Sequence, residues 1–418
     1  MTDAHADRPA AQQPSTVDEH LQRVLDAIKT LPDVPQPIME CLGLACAEDV
    51  FSPISLPSFD NSAMDGYAVQ HAAVADASED NPVVLSVVGE IGAGQADLRV
   101  LPPGAAAKIM TGAPVPQGCD AVVPYEWTDR GAEQVTITRA PQPGAHIRRA
   151  GEDVAEGDLL IEDGTVLGPR HLGLLASVGR HLVRSRPRPR VVIISTGTEL
   201  REPGSELGHD SIFDGNSYLL AAAVRRVGGI AYRVGIVPDD PGAFGEALQD
   251  QLVRADLVVT SGGVSQGDFD VVKEALTPQG VWFGPVAMQP GKPQGFGLVG
   301  EDRIPIFTLP GNPVSAYVSF QVFVLPAIRK MMGMTPLSRP TVTARLTHAI
   351  ASTEGRQHYV RGEVALDDRG PYVGPVGGTG SHLIGDLASS NCLIVVPRET
   401  TALKPGDQAS VLMLDEDY

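Results

Sequence analysis

Between residues 190 and 332 the hydrophobic pattern switches repeatedly between two periods. That alternation limits the folds open to the chain more than any other feature. Strand-like runs stand at VVIIS (191–195), AYRVGIV (231–237), DLVVTS (256–261), VWFGPVA (281–287) and IPIFTL (304–309), with helical patterns at 216–227, 242–254, 268–277 and 313–331. Strands alternating with amphipathic helices predict βαβ units and a parallel sheet. Ligands of such sheets bind beyond the carboxyl ends of the strands, so those ends are where chemistry is to be sought.

The flanking segments have other textures. Residues 1–15 are polar and predict a disordered tail. Thr16 and Glu19 fit a capping box ahead of helically spaced Val17, Leu21, Val24, Leu25 and Ile28, and Pro37 opens a second predicted helix through Ile38, Met39, Leu42 and Leu44. From 51 to about 149 short apolar pieces (VVLSVVGEI, AKIMTG, AVVPYEW, VTITRA) alternate with Gly and Pro, the mark of a β-rich module. A helix is expected near His171–Val178, and RSRPRPRVV reads as a Pro/Arg connector at a boundary. Beyond Pro336, short strands and turns predict a small β-barrel or sandwich.

The predicted strand ends carry a recurring chemistry. STGTEL places Glu199 at the mouth, PDDP places Asp239 and Asp240, and SGGVSQGDFD brings Ser261, Gly262, Gly263 and Ser265 with the acids Asp268 and Asp270. QPGKP adds Lys292, and LPGNPVS begins a helix at Asn312 or Pro313. Small residues let backbone N–H groups approach a phosphate. Glu199, Asp239 and Asp270 are oxygen donors of the kind that hold Mg²⁺, and Lys292 would oppose phosphate charge. Each fragment alone is an ordinary turn or helix cap; five strand ends together favour a phosphate-and-metal site. Elsewhere, FDNSAMDGYA (59–68) carries Asp60 and Asp65, IMTGAPVP (109–116) puts Thr111 and Gly112 just after a strand, and Arg361 and GTGSH (378–382) offer a guanidinium and a hydroxyl to an anion. Turn chemistry alone accounts for the first two, and composition alone favours a solvated barrel surface for the last.

Charge and cysteine use exclude several classes. Lys+Arg 32 less Asp+Glu 51 leaves −19 over 418 residues, a field that repels nucleic acid and anionic membrane. Cysteines at 41, 46, 119 and 392 are too sparse for a disulfide scaffold and match no zinc spacing. With no apolar leader and no apolar run near membrane-spanning length, a soluble, cytoplasmic protein is expected.

FDNSAMDGYA, IMTGAPVP, IRRAGEDV (147–154), STGTEL, DGNS (214–217), PDDP, TSGGVSQGDFD, QPGKP and LPGNPVSA occur in an order typical of one family. From about Thr16 to Val411 the chain resembles the molybdopterin molybdenumtransferases, the MoeA and gephyrin E-domain family. The resemblance implies a multidomain α/β protein with a central Rossmann-like parallel α/β domain similar to the molybdopterin adenylyltransferase (MogA) fold. It divides the chain into a discontinuous N-terminal domain (16–58 plus 151–187), an inserted β-rich domain (59–150), the α/β domain (188–336) and a C-terminal small β-barrel (337–418). The implied reaction is Mg²⁺-assisted insertion of molybdate into adenylylated molybdopterin, with release of AMP.

By the same resemblance, Glu199, Asp239 and Asp270 are the acids of the α/β site, and Ser261, Gly262, Gly263 and Ser265 form its phosphate loop. Lys292 binds substrate, the loop of Pro310, Gly311, Asn312 and Pro313 is shaped by its prolines, and Arg361 and Ser381 lie near the cleft. Asp65 and Thr111 match functional positions that face the α/β site of the other subunit, so a homodimer with shared sites is implied. A molybdopterin adenylyltransferase is an expected partner; nucleic acid and membrane insertion are not. One departure stands out: Pro285 and Gln289 occupy positions where the family commonly carries lysines. Either arginines such as Arg148, Arg149 or Arg361 substitute, or the enzyme is slow, or it works on a different form of substrate. The family also contains a scaffold whose homologous domain captures short receptor peptides in a hydrophobic groove between the barrel and a neighbouring domain, and a dimer that binds short peptides of membrane or cytoskeletal partners in this way, alone or alongside catalysis, is the alternative reading.

Overall fold

A computed structural model describes residues 13–94, 99–263 and 270–415, and these separate into two compact units. One unit comprises Pro35–Leu42 and Glu48–Val183, and the other contains the rest of the described chain. The sheet of the smaller unit has five strands, β1 (Gly66–Val69), β2 (Val83–Ile91), β3 (Ala105–Ile109), β4 (Ala121–Pro124) and β5 (Gln134–Ile137), in the order β4-β1-β3-β2-β5. Only β2 and β3 run parallel. Tyr67, Ala106, Val123 and Ile137 fill the core on one face, and Ala68, Ala107, Ile109 and Val122 on the other. The strand β1 starts within NSAMDGYA and ends one residue beyond it. Gly66 is required there because a Cβ would stand 2.0 Å from the Val123 carbonyl oxygen.

The helix expected after Pro37 is instead a single 3-10 turn, Ile38–Cys41, with Met39 exposed. Gly43, at φ +75°, then turns the chain into the left-handed region and ends it. The helix expected near residue 171 spans Pro169–Ser177.

The larger unit is built on a six-stranded sheet: β6 (Arg190–Ser195), β7 (Ile230–Arg233), β8 (Leu257–Ser261), β9 (Trp282–Pro285), β10 (Pro293–Val299) and β11 (Ile304–Leu309), in the order β7-β6-β8-β11-β10-β9. The pairs β7/β6, β6/β8 and β8/β11 are parallel, as the alternation predicted. The strand β10 was not anticipated. It pairs antiparallel with both β11 and β9, so β9 points the same way as the parallel set and the turn carrying Lys292 still opens at its carboxyl end.

Helices cover both faces, as strands alternating Val191/Ile193 with Val192/Ile194 require. One layer packs α1 (Val17–Ala27), α2 (Gly215–Arg226), α5 (Pro313–Ser319) and α6 (Leu325–Met331) on Ile193, Val259 and Phe307. The other packs α3 (Pro241–Leu252) and α4 (Val271–Leu276) on Ile194, Val258 and Ile306. A π turn, Phe320–Val324, joins α5 to α6 just ahead of Pro326, which has no N–H for the Val322 carbonyl. Thr16 and Glu19 form the predicted capping box.

The Pro/Arg connector presents no cationic patch. Arg184 and Arg186 pair with Asp33, Arg188 donates to the Gly228 carbonyl, and Arg190 grips Asp256. Five strands then close a barrel: β12 (Thr341–Leu346), β13 (Gln357–Asp367), β14 (Gly370–Pro375), β15 (Cys392–Val396) and β16 (Gln408–Met413), ordered β13-β14-β12-β16-β15 with β15 returning to β13. No helix among the described residues is long and apolar enough to cross a membrane.

Candidate active site

Three loops meet at the carboxyl end of the sheet in the larger unit. After β6, the Asp239 carboxylate accepts hydrogen bonds from the Thr198 N–H (2.9 Å) and hydroxyl (3.3 Å), fastening the STGTEL turn to the PDDP turn. Glu199 is exposed beside them. Its Oε2 lies only 2.7 Å from where a Cβ of Gly197 would stand. After β8, Gly262 (φ +97°) and Gly263 (φ +71°) take left-handed conformations, and a Cβ on Gly263 would meet the Val272 side chain at 2.3 Å. Asp270 is buried and caps α4 through the Lys273 N–H at 3.3 Å. Ser265 and Asp268 lie outside the described residues.

After β11 the chain passes buried Pro310 and exposed Gly311 and Asn312, and Pro313 opens α5. The Gly262 N–H donates to the Leu309 carbonyl at 3.1 Å, and a Cβ on Gly311 would be 3.6 Å from Gly262 Cα, so the two glycine loops touch. The half-buried Ser381 meets this corner from the barrel, its carbonyl accepting from the Val314 N–H at 3.1 Å.

Two residues of this site were missed as site residues. Asn216 Nδ2 donates to Ser261 Oγ (2.8 Å) and to the Gly311 carbonyl (2.6 Å). Asp214 is buried and accepts from Ser195 Oγ (3.2 Å), Ser217 N (3.0 Å) and Ser217 Oγ (2.6 Å). Both belong to DGNS, whose Asp ahead of a helical pattern is an N-cap signature that would have found Asp214.

In the smaller unit the antiparallel pairing of β1 with β3 sets Gly66 opposite Ile109, which brings Asp65 to Thr111 across the strand ends. The Asp65 carboxylate accepts from the Thr111 N–H and hydroxyl, and these bonds hold its pKa below the ordinary value. Asp60 is lowered too, by the Ala150 N–H and by the Arg149 guanidinium at 2.6 Å.

Known proteins resemble the chain along nearly its whole length. Residues 15–179 match the MoeA N-terminal region (domains I and II), 192–330 a probable molybdopterin binding domain, and 343–414 the MoeA C-terminal region (domain IV). Molybdopterin molybdenumtransferase 2 of Mycobacterium tuberculosis is 43% identical over 403 residues, which cover 95% of this chain and 98% of that protein. The Haemophilus influenzae molybdopterin molybdenumtransferase is 38% identical over 90% of this chain and 92% of its own. A crystal structure of the MoeA protein of Pyrococcus horikoshii superposes with a TM-score of 0.83 at 30% identity, covering 97% of this chain and all of that one. The chain belongs to the molybdopterin molybdenumtransferase family.

The cations of this molybdenumtransferase are unevenly available. Arg361 is buried: Nη1 donates to the Gly380 carbonyl at 3.0 Å, Nη2 to that of Gly378, and Asp386 Oδ2 lies 3.8 Å away. Burial holds its pKa below the usual value, partly offset by Asp386. Its guanidinium therefore fixes the 378–380 loop rather than facing solvent. Arg149 is held by Asp60. Lys292 is exposed and forms no ion pair with a described residue.

Among the described residues no group of three or more His, Cys, Asp or Glu is placed to hold a metal, so Glu199, Asp239 and Asp270 do not form a closed cage. Exposed Glu199 beside Asp239 fits instead the habit of Mg²⁺, which takes one or two carboxylates and completes its shell with substrate phosphates and water.

Proposed function

We propose that this molybdenumtransferase inserts molybdate at the dithiolene of adenylylated molybdopterin and releases AMP, with Mg²⁺ required. The observation that carries this reading is the contact of the Ser261–Gly263 and Pro310–Pro313 loops at the end of the sheet to which the turns of exposed Glu199 and Lys292 also open. Closely packed small residues leave room for phosphate oxygens at the backbone, and Lys292 attracts them against the chain's net charge of −19. Glu199 and Asp239 would take Mg²⁺, which supplies charge neutralisation at the phosphoanhydride. The residues' own part is placement: Asp239 holds the Thr198 turn, Asp270 holds the start of α4, and the glycine loops set the position of the bond to be cleaved. Release of AMP from adenylylated molybdopterin that requires both molybdate and Mg²⁺ tests the reading; no release from the wild-type protein refutes it.

The working form is proposed to be a homodimer in which Asp65 and Thr111 of one subunit complete the site of the other. A second reading, peptide capture, has one observation in its favour. A groove of about 410 Å³ runs between α2 and the barrel, lined by Leu219, Ala223, Tyr317, Ile384, Leu387 and Leu414. An apolar peptide that binds wild type but not Ala223→Arg, with AMP release equal in both, would support it. Binding unaffected by that substitution would exclude the groove.

A further inference from the structure

One side chain bridges the two glycine loops. Asn216 sits on the first turn of α2 and its Nδ2 carries two hydrogens, one directed at the Gly311 carbonyl (2.6 Å) and one at Ser261 Oγ (2.8 Å). A carbonyl can only accept, so the Gly311 bond fixes which way the amide faces. The first turn is itself immobilised by buried Asp214, which accepts from Ser217 and from Ser195, the last residue of β6. The ends of β6, β8 and β11 are thus tied to one turn of one helix, and the tie to the last two runs through a single neutral amide.

We propose that Asn216 is a positioning residue that, beyond the Gly262–Leu309 hydrogen bond at the strand ends, fixes the Ser261 hydroxyl and the Gly311 carbonyl of the Ser261–Gly263 and Pro310–Pro313 loops relative to each other before an anionic ligand arrives. The inference rests on the reading that this cradle holds the phosphate or oxyanion of the substrate. Preorganisation lowers the ordering cost of binding, so its loss weakens affinity without removing any contact to the ligand. Helix stability cannot account for such a loss. Alanine is the better helix former, and Asp214 rather than Asn216 supplies the cap.

The test compares wild type, Asn216→Ala, Ser261→Ala, the double variant and Lys292→Ala, titrated with AMP and, separately, with molybdate, at low and high salt. Removing two hydrogen bonds from the clamp is expected to weaken at least one ligand by about tenfold. The salt slope should stay at the wild-type value for Asn216→Ala, because no charge is removed, and should fall for Lys292→Ala. The double variant should bind little worse than Asn216→Ala, because both substitutions remove the same bridge. Loss confined to AMP assigns the clamp to the phosphate, and loss confined to molybdate assigns it to the oxyanion. Unchanged affinity for both ligands in a folded Asn216→Ala protein, or fully additive losses with Ser261→Ala, overturns the inference. If wild type releases AMP normally while Asn216→Ala is indistinguishable from it, this inference alone falls. If wild type releases none, the proposed function falls first.

Discussion

Asp65 receives two hydrogen bonds from one residue, the Thr111 N–H at 2.7 Å and the Thr111 hydroxyl at 2.8 Å, in the gap between the start of β1 and the end of β3. Both bonds favour the carboxylate, and the Asp65 pKa lies below its ordinary value for that reason. A carboxylate so held is a fixed negative charge near neutral pH and a weak base. Thr111→Val removes the hydroxyl and keeps the shape and the N–H, so the Asp65 pKa should rise toward the ordinary value, while Thr111→Ser should leave it in place. An NMR titration of the Asp65 carboxyl reads the shift directly. If Asp65 works as an anion, the acid limb of the pH–rate profile moves upward with it; a limb unmoved by Thr111→Val separates Asp65 from turnover.

The proposed sharing of sites between subunits makes a prediction for mixed dimers. Asp65→Ala and Asp270→Ala homodimers should both be inactive. After subunit exchange, each heterodimer would hold one site with both native residues, and activity should return. Exchange verified by mass spectrometry without recovery would place both residues in the same subunit's site.

The sequence disclosed local chemistry more readily than meetings between distant segments. The capping box at Thr16 and Glu19 was legible because both bonds close within four residues. The parallel core was legible because β6, β8 and β11 are nearly continuous apolar runs. The strand β10 was hidden because PQGFGLV breaks the pattern with glycines that tight packing demands: a Cβ on Gly295 would stand 1.9 Å from Thr308 Oγ1, and one on Gly297 2.8 Å from Val281 Cα. At the site, Asp239 could be placed at a strand end, but its bond to Thr198 spans 41 residues. Arg361 looked available to an anion because nothing nearby in sequence shows that carbonyls 17 and 19 residues later return to occupy it.

Thr260 and Thr308 face each other across β8 and β11, fully buried, and neither hydroxyl has a hydrogen-bond partner. A buried hydroxyl without a partner costs roughly 1–3 kcal/mol, and valine matches threonine in shape. Thr308→Val should therefore leave stability unchanged or raise it by up to about that amount in chemical denaturation. Destabilisation by more than about 1 kcal/mol would mean that the hydroxyl is satisfied in solution, for instance by a buried water.

His20, on α1, is buried against Trp282 (centroids 5.1 Å apart) and Phe323 (4.7 Å), with Arg23 Nη1 3.4 Å from Nδ1. Burial, reinforced by the Arg23 charge, lowers its pKa to about 3. The unfolded chain, with an ordinary histidine, binds the proton between about pH 6.5 and 3 while the folded chain does not. Stability from this site is therefore complete above about 6.5 and declines as pH falls, by up to about 1.4 kcal/mol per pH unit inside that window. His20→Phe should flatten this part of the acid-unfolding curve. An unchanged slope would show that His20 takes up its proton in the folded chain as readily as in the unfolded one; carboxylates such as Asp33 and Asp60, both lowered by arginine or backbone partners, add their own loss of stability only below the ordinary carboxylate range.

Gln289 is half-buried, pairs with His358 at the edge of the barrel, and stands three residues before Lys292, the exposed cation of the same loop. The resemblance read from the sequence leads one to expect a lysine at this position. Arg149 is held by Asp60 and Arg361 by the 378–380 carbonyls, which leaves exposed Arg148 as the substitute without an ion pair to a described residue. A unit charge ~4 Å from a phosphate is worth about 1 kcal/mol in water and about 4 kcal/mol at an effective dielectric of 20. Gln289→Lys should therefore tighten AMP binding by about fivefold or more, the lower figure applying if the ammonium stays in water. The gain should shrink in high salt, since the screening length at physiological ionic strength is ~8 Å, and the slope of log Kd against log salt should steepen. Pro285→Lys is a poorer probe: Pro285 lies in β9 opposite Pro293, and replacing a proline also frees the backbone of the unfolded chain. Affinity and salt slope both unchanged in Gln289→Lys would mean that residue 289 does not face the anion, and that Lys292 serves the cradle without the second charge.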